Sequence, residues 1–217
     1  MIRTMLMALG IACSCTPIWA QKYAGEAGTT ASKFTVDGAM LIYDSGNVTG
    51  DAYPEIDGPD VDQLRTLLRR NPDITTLQLT STGGLVWAGN EMAHIVLDFG
   101  LDTVAEGECS SSCVTIFLAG EKRSLTRGSR LGFHQNSWSE AGMQSYFKEW
   151  REDENWDTAF DFASWVYQDT QHETAAQIEF MIDRGVDPLF AIETKMYRPI
   201  MWFPSRRELE AAGILRD

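Results

Sequence analysis

Three consecutive serines, Ser110, Ser111 and Ser112, stand between Cys109 and Cys113 at the head of the apolar run Val114-Thr115-Ile116-Phe117-Leu118, and His134 follows twenty-one residues after the second cysteine. A serine hydroxyl at a helix N-terminus is placed for nucleophilic attack when a base such as histidine reaches it in space. The same helix end offers unpaired N–H groups and partial positive charge to a developing oxyanion. A second donor can come from Gly83-Gly84, because glycine lets main chain approach a substrate closely. Acyl transfer is the chemistry these residues suggest. The plainer reading is structural: a serine ahead of an apolar helix is also what an N-cap looks like, and a histidine at a strand end is more often structural than catalytic. His94 and His172 fall inside helical patterns and are weaker candidates.

Cys109 and Cys113 carry a second expectation. An i, i+4 separation on a helical turn puts their Cα atoms about 6 Å apart, within disulfide range. Two thiols without histidines at zinc spacing argue against a metal site, and the sequence calls for no cofactor. The N-terminus reads as a signal peptide over residues 1–20: Arg3 precedes the apolar run from Met5 to Cys13, and Ala20 offers a small residue at a cleavage point before Gln21. Cleavage removes Cys13 and Cys15, so Cys109 and Cys113 become the remaining pair in an oxidising compartment, periplasmic or secreted. Lipidation at Cys13 is the lesser alternative, since Gly10 fits a lipoprotein signal poorly. The run is short of the roughly 20 apolar residues of a membrane span, so the mature protein is expected to be soluble.

Removing Arg3 moves the formal net charge from −13 to −14. An acidic surface disfavours nucleic acid and anionic membranes, both of which need clustered Lys and Arg.

These residues need a scaffold, and the pattern of the chain supplies one. After a small, polar leader over 21–32, the sequence predicts a strand over Val36–Tyr43, a loop over Gly46–Gly58 and a helix over Val61–Arg70. A strand over Ile74–Leu79 follows, then the Gly83-Gly84 loop, a helix over Val86–Phe99 and a strand over Leu101–Ala105. Strands alternating with helices imply an α/β fold with a mainly parallel sheet and chemistry at the C-terminal strand ends. Arg123–Leu125 and Arg130–His134 are short strands beyond the serine helix. Between Gly142 and Gly185 there is neither glycine nor proline, and aromatic residues recur at helical spacing, which predicts two or three packed helices. Pro188–Met196 is another helical stretch, and Ser205 with Glu208 forms a capping box for a last helix. One domain over 33–217 accommodates all of this.

The order of these segments resembles the Clp protease proteolytic subunit, within the ClpP/crotonase superfamily. Ile74 to Gly89 is similar to that family's strand, Ser-Pro-Gly-Gly loop and following helix; Ser111 to Gly120 resembles its nucleophile helix; Ser129-Arg130-Leu131-Gly132-Phe133-His134-Gln135 resembles its histidine strand; and Ser205 to Asp217 resembles its ending. The likeness is closer still to secreted bacterial members with a Cys-x-Ser-x-Cys turn. It implies stacked ββα units with a C-terminal helical region, and a peptidase acting on peptide or protein.

Carried over residue by residue, the resemblance implies Ser111 as nucleophile, nine positions before Gly120, and His134 as general base. It implies the amides of Gly84 and Ser112 as oxyanion donors, and Gly83 and Leu85 as the strand edge for substrate. The family's acid has no match, because Tyr197 to Phe203 stands where its aspartate would be. Asp183, Asp187 and Glu193 are substitutes by proximity in sequence, and Lys148 would serve a Ser-Lys dyad. Region 143–184 corresponds to the segment that pairs subunits, implying a homo-oligomer. Two further readings follow from the same likeness: a catalytically impaired protein binding peptide or assembling, and, less well suited to an exported chain, thioester chemistry of the crotonase kind.

Overall fold

A computed structural model describes residues 32–49 and 53–216. The signal peptide over 1–20, lipidation at Cys13 and the leader up to residue 31 lie outside the described residues. Ser32, the end of that leader, is tied down: its hydroxyl accepts from the Phe34 amide at 3.1 Å and from Gln63 Nε2 at 2.7 Å.

The chain opens with a hairpin of β1 (Phe34–Asp37) and β2 (Met40–Asp44), paired antiparallel. A single strand was expected here. Gly38 at φ 58° reverses the chain inside that stretch, a left-handed conformation that glycine adopts without a Cβ penalty. Helix α1 (Gly58–Arg70) begins three residues before the expected Val61, because Asp57 and Asp60 close a capping box at its start. Asp60 also receives the Lys33 amine at 2.9 Å and the Tyr43 hydroxyl at 2.7 Å, which ties α1 to β2 and to the residue just before β1.

Strand β3 (Thr76–Ser81), helix α2 (Val86–Phe99), strand β4 (Asp102–Ser110) and helix α3 (Ser112–Leu118) then alternate, followed by β5 (Arg123–Leu125) and β6 (Arg130–Gly132). The sheet runs β1-β2-β3-β4-β5, parallel from β2 onward, and β6 pairs with β4 beyond β5. Strand β4 extends five residues past the expected end at Ala105. Its polar continuation, Glu106-Gly107-Glu108, carries no strand pattern of its own and is held by β6, with Cys109 opposite Leu131 and Ser110 opposite Gly132.

Leu41, Leu77, Leu79, Ile95, Ile116 and Phe117 form the fully enclosed centre between sheet and helices. Each such side chain contributes roughly 1.5–3 kcal/mol on burial. Helices α2 and α3 cross closely at Gly89, where a Cβ would lie 2.8 Å from Ser112 Cβ.

The aromatic stretch forms two helices, α4 (Glu140–Trp150) and α5 (Ala159–Asp183). They pack through a separate cluster of Trp150, Trp156, Phe162 and Val166, with Tyr146 stacked on Trp165 at 5.9 Å. Helix α6 (Pro188–Glu193) is capped by Asp187, and α7 (Arg206–Ala211) carries the expected Ser205–Glu208 capping box. No helix among the described residues is long and apolar enough to cross a membrane.

Candidate active site

Strand β4 delivers the serines to the end of the sheet, and the chain turns into α3 at Ser111 with φ 57° and ψ −128°. A non-glycine residue rarely adopts positive φ, and such a conformation persists only when its surroundings hold it. Three constraints do so here. The Ser111 amide donates to the Gly132 carbonyl at 2.9 Å, Cys109 and Cys113 are bridged across the turn with Cα atoms 5.3 Å apart, and Gly83 packs so closely that a Cβ there would come within 2.6 Å of Ser111 Cβ.

The three serines have three different fates. The Ser110 hydroxyl donates to Glu108 Oε1 at 2.8 Å, and the Ser112 hydroxyl donates to the Gly84 carbonyl at 3.2 Å. Ser111 occupies the N-cap position, yet its side chain makes no capping bond. Its Oγ lies 2.7 Å from His134 Nε2 instead. The other ring nitrogen, Nδ1, is 2.6 Å from the Gln135 main-chain carbonyl. A carbonyl only accepts, so Nδ1 carries the proton and Nε2 is free to receive one from the Ser111 hydroxyl.

The proposed substitutes for the missing acid are engaged elsewhere or face solvent. Asp187 accepts from the Leu189 and Phe190 amides, Glu193 pairs with Arg198 at 2.9 Å, and Asp183 is exposed. The segment from Tyr197 to Phe203 does run beside the histidine strand: Phe133 and Trp202 exchange main-chain hydrogen bonds at 2.8 and 2.9 Å. What it presents there is the Trp202 ring, 5.9 Å from Phe133. Lys148 is exposed on α4.

Gly83-Gly84 is seated against the elbow. The Ser112 hydroxyl holds Gly84 from one side, and on the other a Cβ at Gly84 would come within 2.3 Å of the Ile56 carbonyl. The Ser112 amide, at the first helical position, has no intrahelical partner, while the amide of Ser111 is already committed to Gly132. The Ser112 hydroxyl bond puts the Gly84 main chain beside the start of α3. At the expected substrate edge, Gly83 and Leu85 already have a main-chain neighbour. Ile56 pairs there in parallel, its amide donating to the Gly83 carbonyl at 2.8 Å and its carbonyl accepting from Leu85 at 3.0 Å. The chain's own backbone thus engages the Gly83 carbonyl and the Leu85 amide on that side of the segment.

No protein-family model matches the chain, and no curated protein sequence matches it. Among solved structures, ClpP1 from Listeria monocytogenes superposes with a TM-score of 0.53 at 19% identity, over 74% of this chain and 84% of that one. A mutant of the same protein gives 0.54 at 18% identity with the same coverage. The chain has a ClpP-like fold. At such identities the likeness concerns architecture alone.

Within this ClpP-like frame a cavity of about 230 Å³ opens beside the elbow. Ser111, Ser112, His134 and Asn136 line it, together with the apolar residues Val86, Ala93, Val114, Leu118, Phe180 and Met181. Glu173, Gln177 and Lys195 also face it, and the Lys195 amine donates to Gln177 Oε1. Burial pulls the Lys195 amine down to about 8, with Glu173 opposing more weakly. Sequence reasoning missed Lys195, which follows α6 in a mixed polar and apolar stretch with no motif around it. Among the described residues no cluster of three His, Cys, Asp or Glu side chains could hold a metal ion.

Proposed function

We propose that the protein is a secreted or periplasmic serine hydrolase, a peptidase of Clp-like type, with Ser111 as nucleophile and His134 as general base. The observation that carries this reading is the 2.7 Å contact between Ser111 Oγ and His134 Nε2 at a turn where the serine caps nothing. Ser111 Oγ attacks the scissile carbonyl carbon as its proton passes to Nε2. The amides of Gly84 and Ser112 hold the oxyanion of the tetrahedral intermediate, a contribution worth about 10²–10³ in rate per donor in well-studied cases. Collapse expels the amine, which takes the proton from Nε2. Water, activated by the same nitrogen, then releases the acyl group. The bridge between Cys109 and Cys113 supports export to an oxidising compartment. Association of copies through α4 and α5, where Phe160 and Tyr167 are exposed, belongs to the same proposal.

The Gln135 carbonyl at Nδ1 favours a second reading, a catalytically impaired protein of this fold that binds peptide. A carbonyl dipole fixes the tautomer but stabilises an imidazolium less than a carboxylate does, which weakens His134 as a base relative to a complete triad. A fluorophosphonate probe separates the two. The hydrolase reading expects covalent labelling, followed by intact mass, that is abolished by Ser111→Ala; absence of labelling, or labelling that survives the substitution, would favour the impaired protein.

A further inference from the structure

The cavity beside Ser111 has a wall that is unusual for an apolar pocket. Most of its lining is hydrocarbon, yet Lys195 sits among these groups with a neutral amide as its bonded partner. Lys33, also partly buried, differs in pairing directly with Asp60 at 2.9 Å. Among the described residues, no carboxylate forms an ion pair with Lys195. Glu173 lines the same cavity and acts on Lys195 only at longer range. A largely buried cation whose counter-charge is held only at longer range is incompletely compensated, and a bound anion that pairs with it directly recovers interaction energy forgone in folding.

We propose that this cavity selects a substrate residue bearing a carboxylate, with glutamate preferred, whose methylenes cross the apolar lining and whose carboxylate pairs with Lys195. The inference rests on the hydrolase reading of Ser111 and names the substrate class for that site. Glutamine hydrogen-bonds the amine without charge and binds less well. Leucine fills the apolar part but leaves the amine buried against hydrocarbon. Lysine brings like charge against like charge and is excluded.

The test uses peptidyl phosphonates that share one peptide portion and differ in the side chain next to phosphorus: glutamate, glutamine, leucine or lysine. Rates of Ser111 modification are followed by intact mass, beside an alkyl fluorophosphonate that carries no side chain. In the unmodified protein the glutamate probe is expected to react at least tenfold faster than the leucine probe. In K195M that ratio should fall below one, and in K195R the preference should remain. A ratio taken within each variant cancels any general loss of reactivity, and K195R keeps the comparison usable if K195M does not fold. Labelling by the alkyl probe with leucine or lysine equal to glutamate overturns the selectivity while leaving the hydrolase intact. No labelling by any probe overturns the hydrolase and this inference with it.

Discussion

His134 and Lys195 divide the electrostatic work of the site between two kinds of partner. His134 has a fixed dipole behind it, the Gln135 carbonyl, so its tautomer is set without a buried carboxylate. Lys195 has a neutral amide before it and low-dielectric surroundings, which favour the uncharged amine and bring its titration to about 8. At pH 7 the amine is still about 90% protonated; as pH rises through 8 the charge disappears. If a substrate carboxylate pairs with it, the ratio of glutamate to leucine probe rates should hold steady below pH 7 and fall between pH 7 and 9. Glu173, His94 and His134 also face the cavity. Their influence is isolated by K195R, whose guanidinium stays charged throughout and whose ratio should stay flat. A wild-type ratio that does not change over this range would remove Lys195 from recognition.

At the scale of elements, the elbow between β4 and α3 is a short helix with a nucleophile at its head. The bridge between Cys109 and Cys113 closes a loop of only a few residues, so its stabilisation through the unfolded chain is about 2 kcal/mol. For a chain of this size that corresponds to about 4–8 °C in Tm. The C109A/C113A double variant should therefore melt at least that much lower by tryptophan fluorescence, and an unchanged Tm would show that the bridge adds nothing. This element also marks how far local sequence reaches. Helix α2, strand β3 and the cap of α7 were legible because periodicity and capping residues lie within each segment. The hairpin of β1 and β2 was hidden because Asp37-Gly38-Ala39 interrupts a run that reads as continuous. The far half of β4 owes its conformation to β6, and the pairing of Ile56 with Gly83 and Leu85 joins segments far apart in sequence. The Cys-Ser-Ser-Ser-Cys turn, the glycine pair and His134 were visible as residue types, whereas the partner of Nδ1 is a main-chain group that no side-chain pattern announces.

Over the whole molecule, the position of Ser111 depends on what anchors the other end of α3. That helix spans only Ser112–Leu118, and its terminal carbonyls would be unpaired if nothing reached them. Two arginines do, one close in sequence and one distant. Arg184, after α5, donates to the carbonyls of Leu118, Ala119 and Gly120 at 3.0–3.2 Å. Arg123, 1% exposed at the start of β5, donates to Leu118, Arg184, Gly213 and Ile214 carbonyls at 2.8–3.2 Å, while its main chain pairs with Arg216. Positive charge at a helix C-terminus also complements its dipole. Burial, and then the neighbouring Arg184 and Arg216, lower the Arg123 guanidinium to about 10, which leaves it charged at neutral pH. Arg123 thus joins the foot of the nucleophile helix to the end of α5 and to the C-terminal segment. Methionine at this position would fill similar volume but strand several buried acceptors, each costing about 1–3 kcal/mol. R123M is expected to lose at least about 3 kcal/mol, lowering a urea midpoint by about 1–2 M at an ordinary dependence on denaturant. Labelling at Ser111 should weaken together with stability, because the helix that carries the nucleophile loses one of its two far anchors. An unchanged midpoint would show that the Arg123 contacts are replaceable, and that Arg184 and the elbow hold α3 without them.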